Sequence, residues 1–416
     1  MKRHGVQGSD LLVGGIPLTT LAKRFGTPLF AYDFGIIDEQ YDRLRRALPR
    51  NVEIFYALKA NPNLAVVRHL AGKGAGADIA SLGELYLAKK AGIKGRDIAF
   101  AGPGKTDEEL TQAIRSKIFA INVESAGELA RIEAIARKLD RNVSVNVRLN
   151  PPWVVTEEQM IIGGSGKSKF GISEEELPNV FAVRRKRVEI VGVHVFNASQ
   201  VLSAETLAKN AHRIMQHALR LSEEHDFPLK TIDLGGGLGI PYAPIDEEFD
   251  VEGFGKRLDW AIESLGLRKV RFILEPGRYL VAECGVFVSC VVDSKKAGDE
   301  WFLTLDGGIH NFLRPALLEQ RHEAAVANRM DEPAVEEYRL GGPLCTGIDQ
   351  FGNPYRLPQC QPGDLVAFFD AGAYGFTESM PLFLSRGYPA EIGVRRARAT
   401  LIRRRQDPKE ILATQG

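Results

Sequence analysis

The chain is poor in cysteine, has no long unbroken apolar run, and carries almost no excess charge. Its four cysteines (Cys284, Cys290, Cys345, Cys360) form no C-x-x-C pair and show no zinc-like spacing. They read as free thiols of a reducing compartment, and no metal is expected. No window approaches the roughly 20 apolar residues of a membrane-spanning helix. Met1-Lys2-Arg3-His4-Gly5 runs into Gly and Ser rather than into an apolar signal core. No membrane partner and a cytoplasmic location are therefore expected. A formal net charge of +1 removes any global electrostatic reason to expect nucleic acid. Nucleotide fingerprints are missing as well. Gly104-Lys105-Thr106 and Gly166-Lys167-Ser168 lack the leading glycine of a P-loop, having Ala99 and Ile161 there. Gly235-Gly236-Gly237-Leu238-Gly239 is not a dinucleotide fingerprint, because the third glycine would fall on Ile240.

What is present describes a soluble protein with ample core. At 416 residues two domains are the natural expectation. From about residue 50 to 280, short apolar runs (52–58, 75–80, 97–101, 118–123, 143–149, 189–196, 230–234, 270–275) alternate with amphipathic stretches such as Leu82 to Ala91, Asp107 to Ser116, Ser125 to Leu139 and Ala204 to His225. Strands alternating with helices imply βαβ units and a parallel sheet. Eight units of this length predict an α/β fold with a (β/α)8 TIM-type barrel; a doubly wound open sheet is the runner-up. After residue 285 strand-like runs dominate, which predicts a β-rich second domain. The expected division is a barrel over 27–283, with 1–26 plus 284–416 forming the β-rich part. The polar tail from Arg403 is expected to fray.

In such barrels, functional groups come from the C-terminal ends of several strands. Those positions here are Lys59, Asp78, Arg148, the segment Phe196-Asn197-Ala198-Ser199-Gln200, Gly235-Gly236-Gly237, and Glu275-Pro276-Gly277-Arg278. Together they suggest an anion site with an amine nucleophile beside it. Lys59 closes the run Val52 to Leu58, where desolvation can depress an amine pKa and favour Schiff-base chemistry. The bland reading, a surface lysine at a strand end, stands if that segment is taken alone. The glycine cluster suits either a phosphate cradle or a tight barrel turn. Glu275, between an apolar run and a proline, needs a partner to stay ionised: either Arg278 or a protonated heterocyclic nitrogen. Cys345 lies in a glycine-dense loop, and Tyr374 either packs or presents a phenol to phosphate.

Taken in order, these pieces resemble the fold type III pyridoxal-phosphate decarboxylases, the group containing diaminopimelate, ornithine and arginine decarboxylases. The resemblance rests on Tyr56-Ala57-Leu58-Lys59-Ala60-Asn61, Asp78 with Glu84, Arg148, Lys169-Phe170-Gly171, Ser199-Gln200, the triple glycine, Glu275-Pro276-Gly277-Arg278, Arg314-Pro315-Ala316-Leu317, Cys345 and Gly372-Ala373-Tyr374-Gly375-Phe376. It implies an alanine racemase-like barrel, pyridoxal 5'-phosphate as cofactor, and Lys59 as its Schiff-base anchor. It further implies Glu275 against the pyridinium nitrogen, and Ser199, the 235–237 glycines, Gly277, Arg278 and Tyr374 around the phosphate. Cys345 would protonate the substrate carbon from the partner subunit of a homodimer with shared active sites.

Two departures from the family pattern bear on the substrate. The stacking histidine of the His-x-Gly-Ser arrangement is Phe196 here, with His194 two residues earlier. The Glu or Asp that commonly follows the family cysteine, and binds a distal ammonium, is Thr346; the tyrosine expected after Arg-Pro-x-x is Leu318. A neutral threonine cannot offset a buried ammonium. Arg278, Arg314, Thr346 and Tyr374 are thus read as substrate-binding residues for a substrate without a distal amine. Glutamate linked to an acyl carrier protein fits, as in one branch of the family. Diaminopimelate is the alternative, with Asp349 or Gln350 as conceivable amine acceptors. A racemase is disfavoured, because that branch usually sets arginine against the pyridine nitrogen. An inactive partner-binding homologue is disfavoured because Lys59 and Cys345 are both present. Residues 151–168 are read as a lid from glycine content and position.

Overall fold

The computed structural model describes residues 3–155 and 168–415. The proposed lid, 151–168, falls mostly outside them. Two compact units are present: one of Tyr41–Pro241 with Glu247–Tyr279, the other of Met1–Gln40, Tyr242–Asp246 and Leu280–Gly416.

The first unit is a closed barrel of eight strands. In chain order they are β1 (Val52–Ala57), β2 (Gly76–Ile79), β3 (Ile98–Phe100), β4 (Ala120–Val123), β5 (Val143–Leu149), β6 (Val188–Val195), β7 (Thr231–Asp233) and β8 (Arg271–Leu274). Every neighbouring pair is parallel, and β8 closes on β1 with Phe272 opposite Val52. Closure rules out the open doubly wound sheet. The strands are buried on most residues because helices cover them outside and side chains fill them inside, which is why most read as mainly apolar runs. The intervening helices begin where side-chain oxygens take up loose backbone N–H groups. Ser81, Ser125 and Ser203 accept from Glu84, Glu128 and Thr206, and Thr106 with Glu109 forms a reciprocal capping box. Each such cap is worth about 1 kcal/mol.

Phe55, Ala99 and Ile273, from β1, β3 and β8, form a small buried apolar cluster with Phe119 against it. Asn146 donates to Asn122 at 3.1 Å between β5 and β4. The Arg271–Glu53 pair, 2.6 Å, ties the start of β8 to β1.

The second unit is built on a nine-stranded sheet. Its long central strand, Gly285–Ala297, pairs antiparallel with Glu300–Leu305, with Leu365–Phe368 and with Leu29–Asp33. Phe30, Phe287, Phe312, Phe351 and Phe368 pack as one aromatic cluster against it. Two expectations shift here. The expected barrel span of 27–283 takes in Leu29–Asp33, which pairs instead with Ala390–Arg395 and with the central strand. The tail from Arg403, expected to fray, follows the strand Arg398–Arg403 and forms a short helical segment, Pro408–Thr414, capped by Asp407. Among the described residues no helix is long and apolar enough to cross a membrane.

Candidate active site

Lys59 sits in a single tight helical turn, Leu58–Ala60, immediately after β1. The turn is pinned by its neighbours. The Tyr56 hydroxyl donates to the Asn61 carbonyl at 3.0 Å, Asn63 N–H donates to the Asn61 side chain at 3.1 Å, and Asn63 caps the helix that follows. From this base Lys59 Nζ donates to Asp78 Oδ2 at 2.8 Å and lies 4.8 Å from the centre of the Phe196 ring. Asp78, at the end of β2, is buried. Burial, then the nearby Glu275 charge, raises its pKa, and Lys59 opposes the rise. Glu84 accepts the Ala80 N–H at 2.6 Å and is pushed up to about 7, chiefly by burial.

Across the mouth, the ends of β6, β7 and β8 bring three polar groups together. His194 Nε2 lies 3.3 Å from Glu275 Oε2. Asp233 Oδ1 accepts the Gly235 N–H at 3.0 Å. All three residues are buried, with candidate ligand atoms within 4.8 Å of one another. The glycines here are required by close approach. A Cβ on Gly235 would stand 2.4 Å from the Val195 carbonyl oxygen, and one on Gly236 would stand 2.5 Å from that of Glu275. Gly235 also has φ +64° and Gly237 φ +112°, in the region that glycine alone enters cheaply. Gly277 packs on the lysine turn, where a Cβ would meet that of Ala60 at 2.9 Å.

Arg148, at the end of β5, pairs with Glu124 at 2.5 Å and lies over the Phe170 ring at 4.9 Å. Glu124 in turn accepts the N–H groups of Gly102 and Gly171. Behind it, buried Lys105 donates to Glu128 at 2.7 Å, and Glu128 accepts the Glu124 N–H at 2.8 Å. Arg278 Nη2 and Ser199 Oγ are 3.5 Å apart.

In the second unit, Cys345 is exposed and Thr346 half-buried in the loop after Glu336–Gly341. Asp349 braces that loop: it is buried and accepts the N–H groups of Ile309 and Leu344 at 2.8 and 2.7 Å. Arg314 is buried, pairs with Glu378 at 2.8 Å, donates to Gln320 at 2.8 Å, and lies 4.9 Å from the Tyr374 ring centre. Tyr374 itself has φ +63°.

Contacts join several of the barrel residues singled out from the sequence: Lys59 meets Asp78 and Phe196, Gly235 and Gly236 lie close against Phe196 and Glu275, Ser199 approaches Arg278, and Arg148 pairs separately with Glu124. Three expected partnerships differ. Glu275 pairs with His194 rather than Arg278. Arg314 is already neutralised by Glu378, and Asp349 is taken up by backbone donors. Sequence reasoning passed over Asp233, Glu124, Glu128 and Lys105. Glu124 directly follows β4, so the strand-end rule would have found it; the others are recognisable only once the strands are side by side.

Residues 34–282 match the family described as pyridoxal-dependent decarboxylase, pyridoxal binding domain. A diaminopimelate decarboxylase of Aquifex aeolicus is 35% identical over 400 residues, covering 96% of this chain and 94% of that protein. An L-glutamyl-(BtrI acyl-carrier protein) decarboxylase of Niallia circulans is 33% identical over 410 residues, 96% of each. Among solved structures, the diaminopimelate decarboxylase of M. jannaschii in complex with L-lysine superposes with a TM-score of 0.91 at 30% identity, covering 99% of this chain and 97% of that one.

Proposed function

Because the chain belongs to the pyridoxal-dependent decarboxylases, with pyridoxal 5'-phosphate as cofactor, we propose that it decarboxylates the α-carbon of an amino-acid substrate whose distal end is not an ammonium, glutamate held as a carrier thioester being the form that fits best. The observation that carries this reading is the Cys345-Thr346 loop: Thr346 is neutral, and buried Asp349, three residues on, already accepts two backbone N–H groups. Arg314, paired with Glu378, offers no free charge for a distal carboxylate either. A neutral distal group, such as a thioester carbonyl, suits these surroundings.

The barrel mouth fits the cofactor on its own evidence. Glu275 Oε1 is buried with no hydrogen-bond partner among the described residues, an acceptor suited to a cationic ring N–H. Gly236, Gly237, Gly277, Ser199 and Arg278 suit a phosphate; the Gly235 N–H is committed to Asp233, so Gly235 acts by leaving room. When bound, pyridoxal 5'-phosphate supplies the sink for the electron pair left as carbon dioxide departs.

The chain's own residues do the rest. Lys59 offers the anchoring amine, with Asp78 holding it in place at 2.8 Å. Phe196 gives an aromatic face but no hydrogen bond. Glu275 keeps its charge because His194 and Lys59 oppose the cost of burial. The thiol of Cys345 delivers its proton to the carbon that lost the carboxylate; its exposure on its own chain supports delivery to a second copy within a homodimer.

Diaminopimelate is the second reading, favoured by the relatives of that name. Carbon dioxide release by cofactor-loaded protein, measured side by side on meso-diaminopimelate, free glutamate and carrier-linked glutamate, separates the two. Release from the thioester alone is expected; brisk release from diaminopimelate would replace the first reading with the second.

A further inference from the structure

His194, Asp233 and Glu275 stand closer together than their possible charges allow. They are 1%, 0% and 2% exposed, on three adjacent strand ends. His194 Nε2 faces Glu275 Oε2 at 3.3 Å. Asp233 Oδ1 takes the Gly235 N–H, while Asp233 Oδ2, Glu275 Oε1 and His194 Nδ1 have no partner among the described residues. Two buried carboxylates whose oxygens lie within 4.8 Å of each other resist joint ionisation, which favours one proton held between them.

The surroundings decide which of the two holds it. Glu275 has His194 on one oxygen and the Lys59 charge nearby, and both favour its ionised form. Asp233 has a single backbone N–H and looks toward two other acids, Glu275 and Asp78. Burial first, then Glu275, pushes Asp233 well above the ordinary carboxylate range. Glu275, despite its burial, is held down to about 2, chiefly by His194 and Lys59.

We propose that Asp233 is a positioning residue that carries the shared proton and donates it as a hydrogen bond to Glu275. Asp233 and His194 then fix a single negative charge on Glu275 for the cofactor ring nitrogen. The proposal rests on the role given to Glu275 above. It explains why an acid, rather than an apolar residue, ends β7 inside a sealed barrel. One oxygen orders the Gly235 turn, and the other group on the same carboxyl orders Glu275.

The test uses the full-length protein in two forms. In the cofactor-free protein near neutral pH, infrared difference spectra between the wild type and Asp233→Asn should contain a carboxylic-acid C=O band lost in the variant. With nitrogen-15-labelled pyridoxal 5'-phosphate bound, Asp233→Asn keeps a neutral donor and an acceptor for Gly235. It should keep the ring-nitrogen shift and a cofactor Kd within about threefold of the wild type. Asp233→Leu keeps neither; its ring-nitrogen signal should move toward the unprotonated position, with Kd raised about tenfold or more. No acid band in the difference spectrum, or an Asn variant that behaves like the Leu variant, would overturn the proposal, because Asp233 would then act through a charge. An acid band in a protein that binds no cofactor would support the shared proton and count against the role of Glu275 instead.

Discussion

Lys59 Nζ and Asp78 Oδ2 are joined at 2.8 Å, with the lysine 37% exposed and the aspartate 2% exposed. One partner reaches solvent and the other is sealed, so the pair presents an amine at the mouth while its counter-charge stays inside. Removing the buried partner leaves the amine without direction. Asp78→Asn is expected to weaken cofactor binding about tenfold, with the thermal midpoint little changed. A cofactor titration followed by absorbance checks both.

Sharing of active sites predicts complementation. Lys59→Ala and Cys345→Ala should each be nearly inactive alone. Mixed in equal amounts after reversible dissociation, they should recover about a quarter of wild-type activity, since half the dimers would carry one intact site of two. No recovery would count against a thiol supplied by the second copy.

Glu84 gives a pH dependence of stability. Its carboxyl is raised from 4.5 to about 7 in the folded chain, with burial as the main cause. Below its unfolded value the group is protonated in both states and its contribution is fully present. As pH rises through about 7 the contribution is lost, up to about 3 kcal/mol. Glu84→Gln, which stays neutral, should therefore gain stability relative to the wild type between about pH 5 and pH 8. Urea unfolding at the two pH values measures the difference.

How far the sequence reached depends on how local each signal was. The barrel strands are legible to within two or three residues because both of their faces are buried, so most read as short, mainly apolar runs; Val143–Leu149, with Ser144, Asn146 and Arg148 in alternation, is the exception. Leu29–Asp33 has the same texture, yet its partners Gly285–Ala297 and Ala390–Arg395 lie hundreds of positions away, and nothing local says which sheet it joins. Lys59 and Glu275 stood out because each follows an apolar run directly. Asp233 did not: it is the last residue of β7, and its proximity to Glu275 and His194 comes from barrel closure. Arg314 was legible as a charge but not as a paired one, since Glu378 meets it only in the folded chain.

The loop carrying Cys345 and Thr346 yields two further expectations. Asp349→Ala leaves the Ile309 and Leu344 N–H groups without their acceptor and should destabilise the protein by about 2 kcal/mol or more, read as a drop in thermal midpoint. Thr346→Glu supplies a carboxylate where the chain has none, and should raise kcat/KM for diaminopimelate about tenfold or more. An unchanged value would mean that Thr346 does not face the distal end of the substrate.

The role of Lys59 as the cofactor anchor is tested most directly by trapping. Protein loaded with pyridoxal 5'-phosphate is reduced with borohydride, digested, and its labelled peptide sequenced by mass spectrometry. A single phosphopyridoxyl adduct is expected, on Lys59 in Tyr56-Ala57-Leu58-Lys59-Ala60-Asn61. An adduct on another lysine, or none on a protein that has bound the cofactor, would contradict it.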